Sequence, residues 1–236
     1  MRTICIILLT LSVVGLMFLP VNALSADFEI ICPQNGDGVP LKKNLKNGAI
    51  SSLGSVEEAL ARLVCDNIKQ ASLVINEVDY DQPSTDTAEF IELKNVSGLP
   101  INLHLFTIEI VNGSNLTIAR TIDLPDVFLG PGEYYVICGD ANNVANCDLD
   151  VTPDTNLIEN GAPDAVALMK IGVLVDSVSY EGNAGGYTEA SGVGLVDPGN
   201  VSDVSISRCP DGIDTDRNNV DFSLQASTPG EENNCP

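Results

Sequence analysis

From Ser72 onward the apolar residues of this chain return at every second position. That period belongs to a half-buried β-strand, whose successive side chains point to opposite faces. Leu73, Ile75 and Glu77 alternate, and Glu89, Ile91 and Leu93 alternate against Phe90, Glu92 and Lys94. Ile101, Leu103 and Leu105 alternate against Asn102, His104 and Phe106. Ile108 and Ile110 lead to Asn112-Gly113, a hairpin signal, and Leu116, Ile118, Ile122 and Leu124 return. Pro131-Gly132 turns the chain into Tyr134, Val136 and Cys138. Residues 165–170 and 173–180 form a second hairpin around Ile171-Gly172. About seven or eight short strands with regular turns and no intervening helices specify an all-β fold, an antiparallel sandwich, and argue against a parallel sheet. The pattern places Ile75, Ile91, Leu93, Leu103, Phe106, Val136 and Leu168 in one core.

Before Ser72 the pattern is different. Arg2 and the apolar run from Ile4 to Leu19 precede two small-residue cleavage patterns, ending at Ala23 and at Ala26. This is the form of a secretory signal peptide over 1–26, and the run is short for a membrane span. Residues 27–71 form a small segment in which Ser55-Val56-Glu57-Glu58 is a capping box. It opens a helix through Ala59, Leu60, Leu63, Val64 and Ile68. The sandwich then occupies 72–182. Residues 183–236 are rich in Gly, Ser, Asp and Asn and hold strand candidates at 204–208 and 220–224. They read as an extension packed on the sandwich, since they have too few large apolar residues for a core of their own.

The charge is strongly acidic, 11 Lys and Arg against 33 Asp and Glu. Removing 1–26 takes away only Arg2, so the remainder carries 10 − 33 = −23. Such a surface repels phosphate backbones, which argues against nucleic acid as a partner. Without the signal segment no membrane span remains, and the expected location is extracellular.

Six cysteines follow the signal segment: Cys32, Cys65, Cys138, Cys147, Cys209 and Cys235. An even count in an exported chain reads as disulfides. They fall in sequential pairs, and the expected bonds are Cys32–Cys65, Cys138–Cys147 and Cys209–Cys235. The last pair brackets the C-terminal extension. Closing the short Cys138–Cys147 loop is worth about 2–3 kcal/mol in the chain-entropy account. Zinc is disfavoured, because there is no Cys-x-x-Cys and His104 is the only histidine.

No nucleophile elbow, zinc-protease helix or phosphate loop occurs. His104 alternates with core residues and reads as an outward strand residue. Glu77 can meet Glu92 or Glu89 across strands, which keeps a small carboxylate-dependent hydrolase as a third reading. Asp214, Asp216 and Asn218 have the alternate spacing by which a loop turns oxygens onto one hard cation, so calcium is the candidate ligand there. The loop is not an EF-hand: Asn219 stands at position six and Gln225 at position twelve. The competing reading is a solvated turn held by Asx hydrogen bonds. Sequons at Asn95, Asn112, Asn115 and Asn200 are glycosylation candidates for a eukaryotic secretory route.

Several stretches together resemble a known family. They are Val74-Ile75-Asn76-Glu77-Val78, Thr87-Ala88-Glu89-Phe90-Ile91-Glu92-Leu93-Lys94-Asn95 and Leu129-Gly130-Pro131-Gly132-Glu133-Tyr134-Tyr135-Val136. Asn160-Gly161-Ala162-Pro163-Asp164-Ala165-Val166 and Val175-Asp176-Ser177-Val178-Ser179-Tyr180 continue the match. Residues 72–182 resemble the lamin-tail domain, an immunoglobulin-like β-sandwich. The family often has Gly-Trp where this chain has Leu105-Phe106. The resemblance implies a non-catalytic module that attaches to or positions other proteins. The expected function is therefore a secreted binding or adhesion module for a protein or cell-surface ligand. The alternative is a calcium-stiffened or carbohydrate-binding surface protein. The lack of Trp weighs against sugar, although Tyr134, Tyr135 and Tyr187 remain.

Overall fold

The computed structural model describes residues 28–31, 41–44, 47–52 and 73–236. The signal segment 1–26, the helix expected after Ser55, and Cys32 and Cys65 lie outside the described residues. The chain divides into Met1–Lys69 and Gln70–Pro236.

In the first unit, β1 (Phe28–Ile31), β2 (Leu41–Asn44) and β3 (Ile50–Ser52) form an antiparallel sheet in chain order. The sequence pattern points to no strand here. A turn joins β2 to β3, with Gly48 at φ +70° and its N–H donating to the Asn44 carbonyl.

The second unit is a sandwich of two main sheets. In chain order its strands are β4 (Leu73–Asp79), β5 (Phe90–Asn95), β6 (Ile101–Asn102), β7 (Phe106–Asn112), β8 (Thr117–Asp123), β9 (Phe128–Leu129), β10 (Tyr134–Cys138), β11 (Leu149–Asp150), β12 (Asp164–Lys170), β13 (Val173–Tyr180), β14 (Val204–Arg208) and β15 (Phe222–Ala226). One short helix, α1 (Asn218–Asp221), precedes β15. The larger sheet has the order β11-β10-β5-β4-β14-β15, the smaller β13-β12-β7-β8, and β6 pairs with β9 in a ribbon. All pairings are antiparallel except the two-residue contact of β11 with β10. Within the extension 183–236, read from composition as packed on the sandwich, β14 and β15 are strands of the larger sheet, and β14 lies directly beside β4.

The core lies between the two sheets. Ile75, Ile91, Leu93, Leu103, Phe106 and Leu168 share it, together with Ile206 from the extension. Burying each such Leu or Ile contributes about 1.5–3 kcal/mol relative to exposure. Val136 does not belong there. Its register partner is Glu92, while its neighbours Tyr135 and Ile137 pair with Leu93 and Ile91 and face the core. Val136 joins Phe90, Cys138 and Val144 in a second cluster on the other face, below the loop that the Cys138–Cys147 bond closes.

Two irregularities rephase the simple alternation. At Asn76 a β-bulge sets two β4 residues against one β5 residue, so Ile75 and Val78 both face the core while Glu77 stands opposite Glu92 on the outer face. At Leu103–Leu105 the chain makes a 3-10 turn with three residues per turn. Leu103 and Phe106 therefore both point inward, and His104 and Leu105 are exposed. His104 sits in that turn and not on a strand.

The β7–β8 connection is longer than a two-residue Asn-Gly turn. Asn112 Oδ1 accepts from the N–H and hydroxyl of Ser114, and Gly113 lies so close to the Pro163 carbonyl that a Cβ there would stand 2.4 Å from its oxygen. The β12–β13 hairpin turns on Ile171 and Gly172, both at positive φ, as its sequence signal implies.

Candidate functional site

The outer face of the larger sheet carries the polar side chains of the Asn76-Glu77 and Glu92 segments, and the end of the chain covers them. Glu77 Oε1 accepts from the Thr228 N–H (2.8 Å) and the Ser205 hydroxyl (2.5 Å), and Oε2 accepts from the Thr228 hydroxyl (2.9 Å). Glu92 accepts from the Asn76 carboxamide (2.8 Å) and from the Gly230 N–H (2.6 Å). Asn76 accepts from the Gly212 N–H and donates to Asp211. Asn233 donates through its carboxamide to the carbonyls of Asn76 (3.1 Å) and Arg208 (2.9 Å). Lys94 and the Tyr134 hydroxyl both donate to Asp211 Oδ2. The Cys209–Cys235 disulfide closes the same segment.

This arrangement answers the question of a carboxylate pair. Glu77 and Glu92 do meet across strands, but both are fully buried beneath the tail. Burial pushes Glu92 up to about 8, with Glu77 adding repulsion, while the Asn76 and Gly230 donors pull the other way. Glu77 is raised by burial too. Glu89 lies apart, buried, and caps the N–H groups of Leu157 (2.5 Å) and Ile158 (3.0 Å). Its burial raises it to about 8. All three acids thus hold backbone, and Glu77 and Glu92 lie under the tail.

A second polar network centres on Arg208, which is 0 % exposed. Its guanidinium donates to both oxygens of Asp176 (3.2 Å each), to Asp214 Oδ1 (3.0 Å) and to Asp221 Oδ2 (3.4 Å), and its Nε donates to the Ile75 carbonyl (2.9 Å). The group also lies over the Phe222 ring, 4.5 Å from its centre. Because Arg208 is on β14 and Asp176 on β13, this ion pair ties the two sheets together. Burial alone would lower the Arg208 pKa; the carboxylates of Asp176, Asp214, Glu189 and Asp221 outweigh that and raise it. Asp176 is raised by burial to about 6 against the pull of Arg208. Glu189 is raised to about 10, first by burial and then by Asp176 and Asp214.

The calcium candidates fall into this network differently from their spacing. The Asn218 carboxamide oxygen accepts from the N–H groups of Ser179 and Glu189, and its nitrogen donates to the Ser177 carbonyl and to Glu189. Asp214 turns to Arg208 and to the Asp216 N–H, and Asp216 is exposed. The structure brings Asp176 and Glu189 to Asp214 in their place. One carboxylate oxygen from each of these three lies within 4.8 Å of the others. Arg208 already stands among them as the cation, and Ser177 and Asn218 donate to Glu189. The sequence signal for this network is a single Arg208 followed by Asp211, Asp214, Asp216 and Asp221.

The sequons differ in access. Asn95 is 0 % exposed and its carboxamide binds the Leu99 and Leu129 carbonyls. Asn112 is half-buried, whereas Asn115 and Asn200 are exposed.

An open groove of about 680 Å³ lies beside the β6–β9 ribbon. Val127, Phe128, Tyr134 and Tyr135 line it with the acids Glu133 and Asp148. Phe128 is 70 % exposed, a large aromatic face held out on a short strand.

Residues 67–182 match the Lamin Tail Domain family. No curated protein matches the chain. Within the matched region the polar residues of β4 and β5 are the seat of the C-terminal segment, which lies beyond it.

Proposed function

We propose that the lamin-tail unit is a non-catalytic binding module of an exported protein, and that it meets a protein or cell-surface partner through the groove beside Phe128. The observation that carries this reading is the fate of the three glutamates. Each one is consumed by backbone or tail donors, which leaves no free acid–base pair among the three, while the exposed aromatic and apolar surface lies elsewhere. The −22 charge and the acids at the groove favour a basic partner surface. Export is supported by the signal-like segment and by the Cys138–Cys147 and Cys209–Cys235 bonds. A glycan platform is disfavoured, because Tyr135 is buried and the Tyr134 hydroxyl is bound to Asp211. On a eukaryotic route, glycans belong at Asn115 and Asn200 and not at Asn95.

The test is a protein and glycan array probed with the mature chain and with Phe128→Ala. The expected result is binding to basic protein ligands that the substitution abolishes. Equal binding by both proteins removes the groove from the reading. A hydrolytic activity lost in the Glu77→Gln/Glu92→Gln variant removes the non-catalytic reading altogether.

A further inference from the structure

At the end of β4, two carboxylates face one another inside the protein. Asp79 is 4 % and Asp197 is 1 % exposed, and their side chains are in hydrogen-bonding contact. Asp197 Oδ2 accepts from the Tyr80 N–H (3.1 Å). Asp197 Oδ1 has no donor at all. Asp79 accepts from the Gln82 carboxamide and, at 3.5 Å, from the Ser227 hydroxyl. Two ionised carboxylates cannot make a hydrogen bond to each other, and a buried acceptor without a donor is costly. The neighbouring charges make matters worse, since Glu77 acts on Asp79, and Asp81 on Asp197. Asp81 in turn is raised by burial and by Asp86, whose Oδ2 accepts from the Asn160 carboxamide, and belongs to the same acidic end.

We propose that Asp79 and Asp197 share one proton, and that this proton latches residues 195–201 onto the end of β4. The hydroxyl supplied by one carboxyl group satisfies the orphaned Oδ1 of its partner. The latch then extends outward: the Asp197 N–H donates to the Tyr80 hydroxyl (2.7 Å), that hydroxyl donates to Glu181 (3.1 Å), and the Tyr80 ring stacks on Tyr180 at 4.0 Å. Burial and mutual repulsion raise Asp79 to about 9, and burial raises Asp197 to about 7, so the shared proton is present at neutral pH. Loss of it in alkali leaves two charges face to face and releases the segment that carries the exposed Val196 and Val201. The device is a pH-sensitive latch, separate from the groove.

The experiment is amide hydrogen exchange on the full chain and on Asp79→Asn, whose carboxamide supplies the donor permanently. Protection at Tyr80 and Asp197 should fall in the parent by about tenfold for each pH unit above the pair's upper pKa, while Asp79→Asn keeps it. Equal pH dependence in the two proteins overturns the latch. A second reading needs no variant: ¹³C titration of the aspartate carboxyl carbons should show one group still protonated at neutral pH. Two groups both ionising near the ordinary value of about 4 refute the proposal. So does displacement of the protonated signal by millimolar calcium at neutral pH and its return with chelator, which would make a cation the occupant.

Discussion

Replacing Arg208 by Met leaves a shorter, unbranched and uncharged side chain and removes the cation from a fully buried site. Asp176 then keeps one donor on Oδ2, the Ile75 N–H at 2.6 Å, and loses the two bonds from the guanidinium. Asp214, Asp221 and the Ile75 carbonyl each lose a donor as well. Breaking a buried pair from one side costs about 3–5 kcal/mol, because a charge is left uncompensated. In a unit of this size each kcal/mol moves the melting midpoint by about 2–4 °C, so the expected fall is about 6–20 °C. Urea denaturation should show the same loss as a lower midpoint with an unchanged slope. The size of the loss must depend on pH. Without Arg208, Asp176 rises above its present value of about 6. A raised acid contributes its stability below its unfolded pKa and loses it as pH rises through the folded one. The deficit of the variant is therefore greatest near pH 8 and shrinks toward about pH 4. The partner experiment is Asp176→Leu in the same background, which removes the orphaned charge and should recover most of the loss. A single variant that melts like the parent at pH 8, or a double variant no better than the single, refutes the account of Arg208 as the tie between the sheets.

Three further outcomes are expected. Leu103→Ala costs about 2–5 kcal/mol while Leu105→Ala changes stability by no more than about 0.5, and equal effects in thermal melts would show that the 3-10 turn is misplaced. Replacing Cys209 and Cys235 by Ser opens a 26-residue separation and costs about 3–4 kcal/mol by denaturant titration in the chain-entropy account, with non-reducing peptide mapping of the parent returning Cys138–Cys147 and Cys209–Cys235 peptides. Glu89 and Glu92, both raised to about 8, contribute stability that is present below their unfolded values and lost as pH rises through about 8, whereas the lowered Asp211 contributes above its unfolded value and loses it in acid. Calorimetry across pH should therefore find the protein more stable at mildly acid pH than at about pH 9.

The strands were legible wherever the pleat ran undisturbed. The 165–180 hairpin and the 204–208 strand carry their own alternation and turn residues, and they fold where the pattern put them. The alternation failed where the backbone changed its step. The bulge at Asn76 moves Glu77 to the face opposite Ile75, and nothing in the pair Asn76-Glu77 distinguishes a bulge from two ordinary strand residues. The three-residue step from Leu103 to Phe106 reverses the expected phase of Leu105 in the same way. At Val136 the phase is reversed because Tyr135, whose polar tip suggests an outward position, turns its ring into the core and leaves Val136 on the other face. The candidate site was less legible still. Spacing brought Asp214, Asp216 and Asn218 together, but the partners of Asp214 and Asn218 come from β13, the 189 region and β14, and local spacing does not encode such distant contacts.

The position of β14 sets a timetable for the growing chain. β4 is made early, yet its neighbour on one side is not synthesised until about residue 206, and Thr228 and Asn233 reach Glu77 and Asn76 across separations of 151 and 157 residues. At ribosomal rates of about 5–20 residues per second, the interval between β4 and β14 lasts roughly 6–26 s. Throughout it the β4 edge next to Ile75 and Val78 has no strand to pair with, and an open apolar edge is a template for the wrong partner. The two sheets are joined at Asp176 only when Arg208 has emerged. Folding of this unit therefore waits until residues 204–233 have been made, and until then one strand edge in particular stands open.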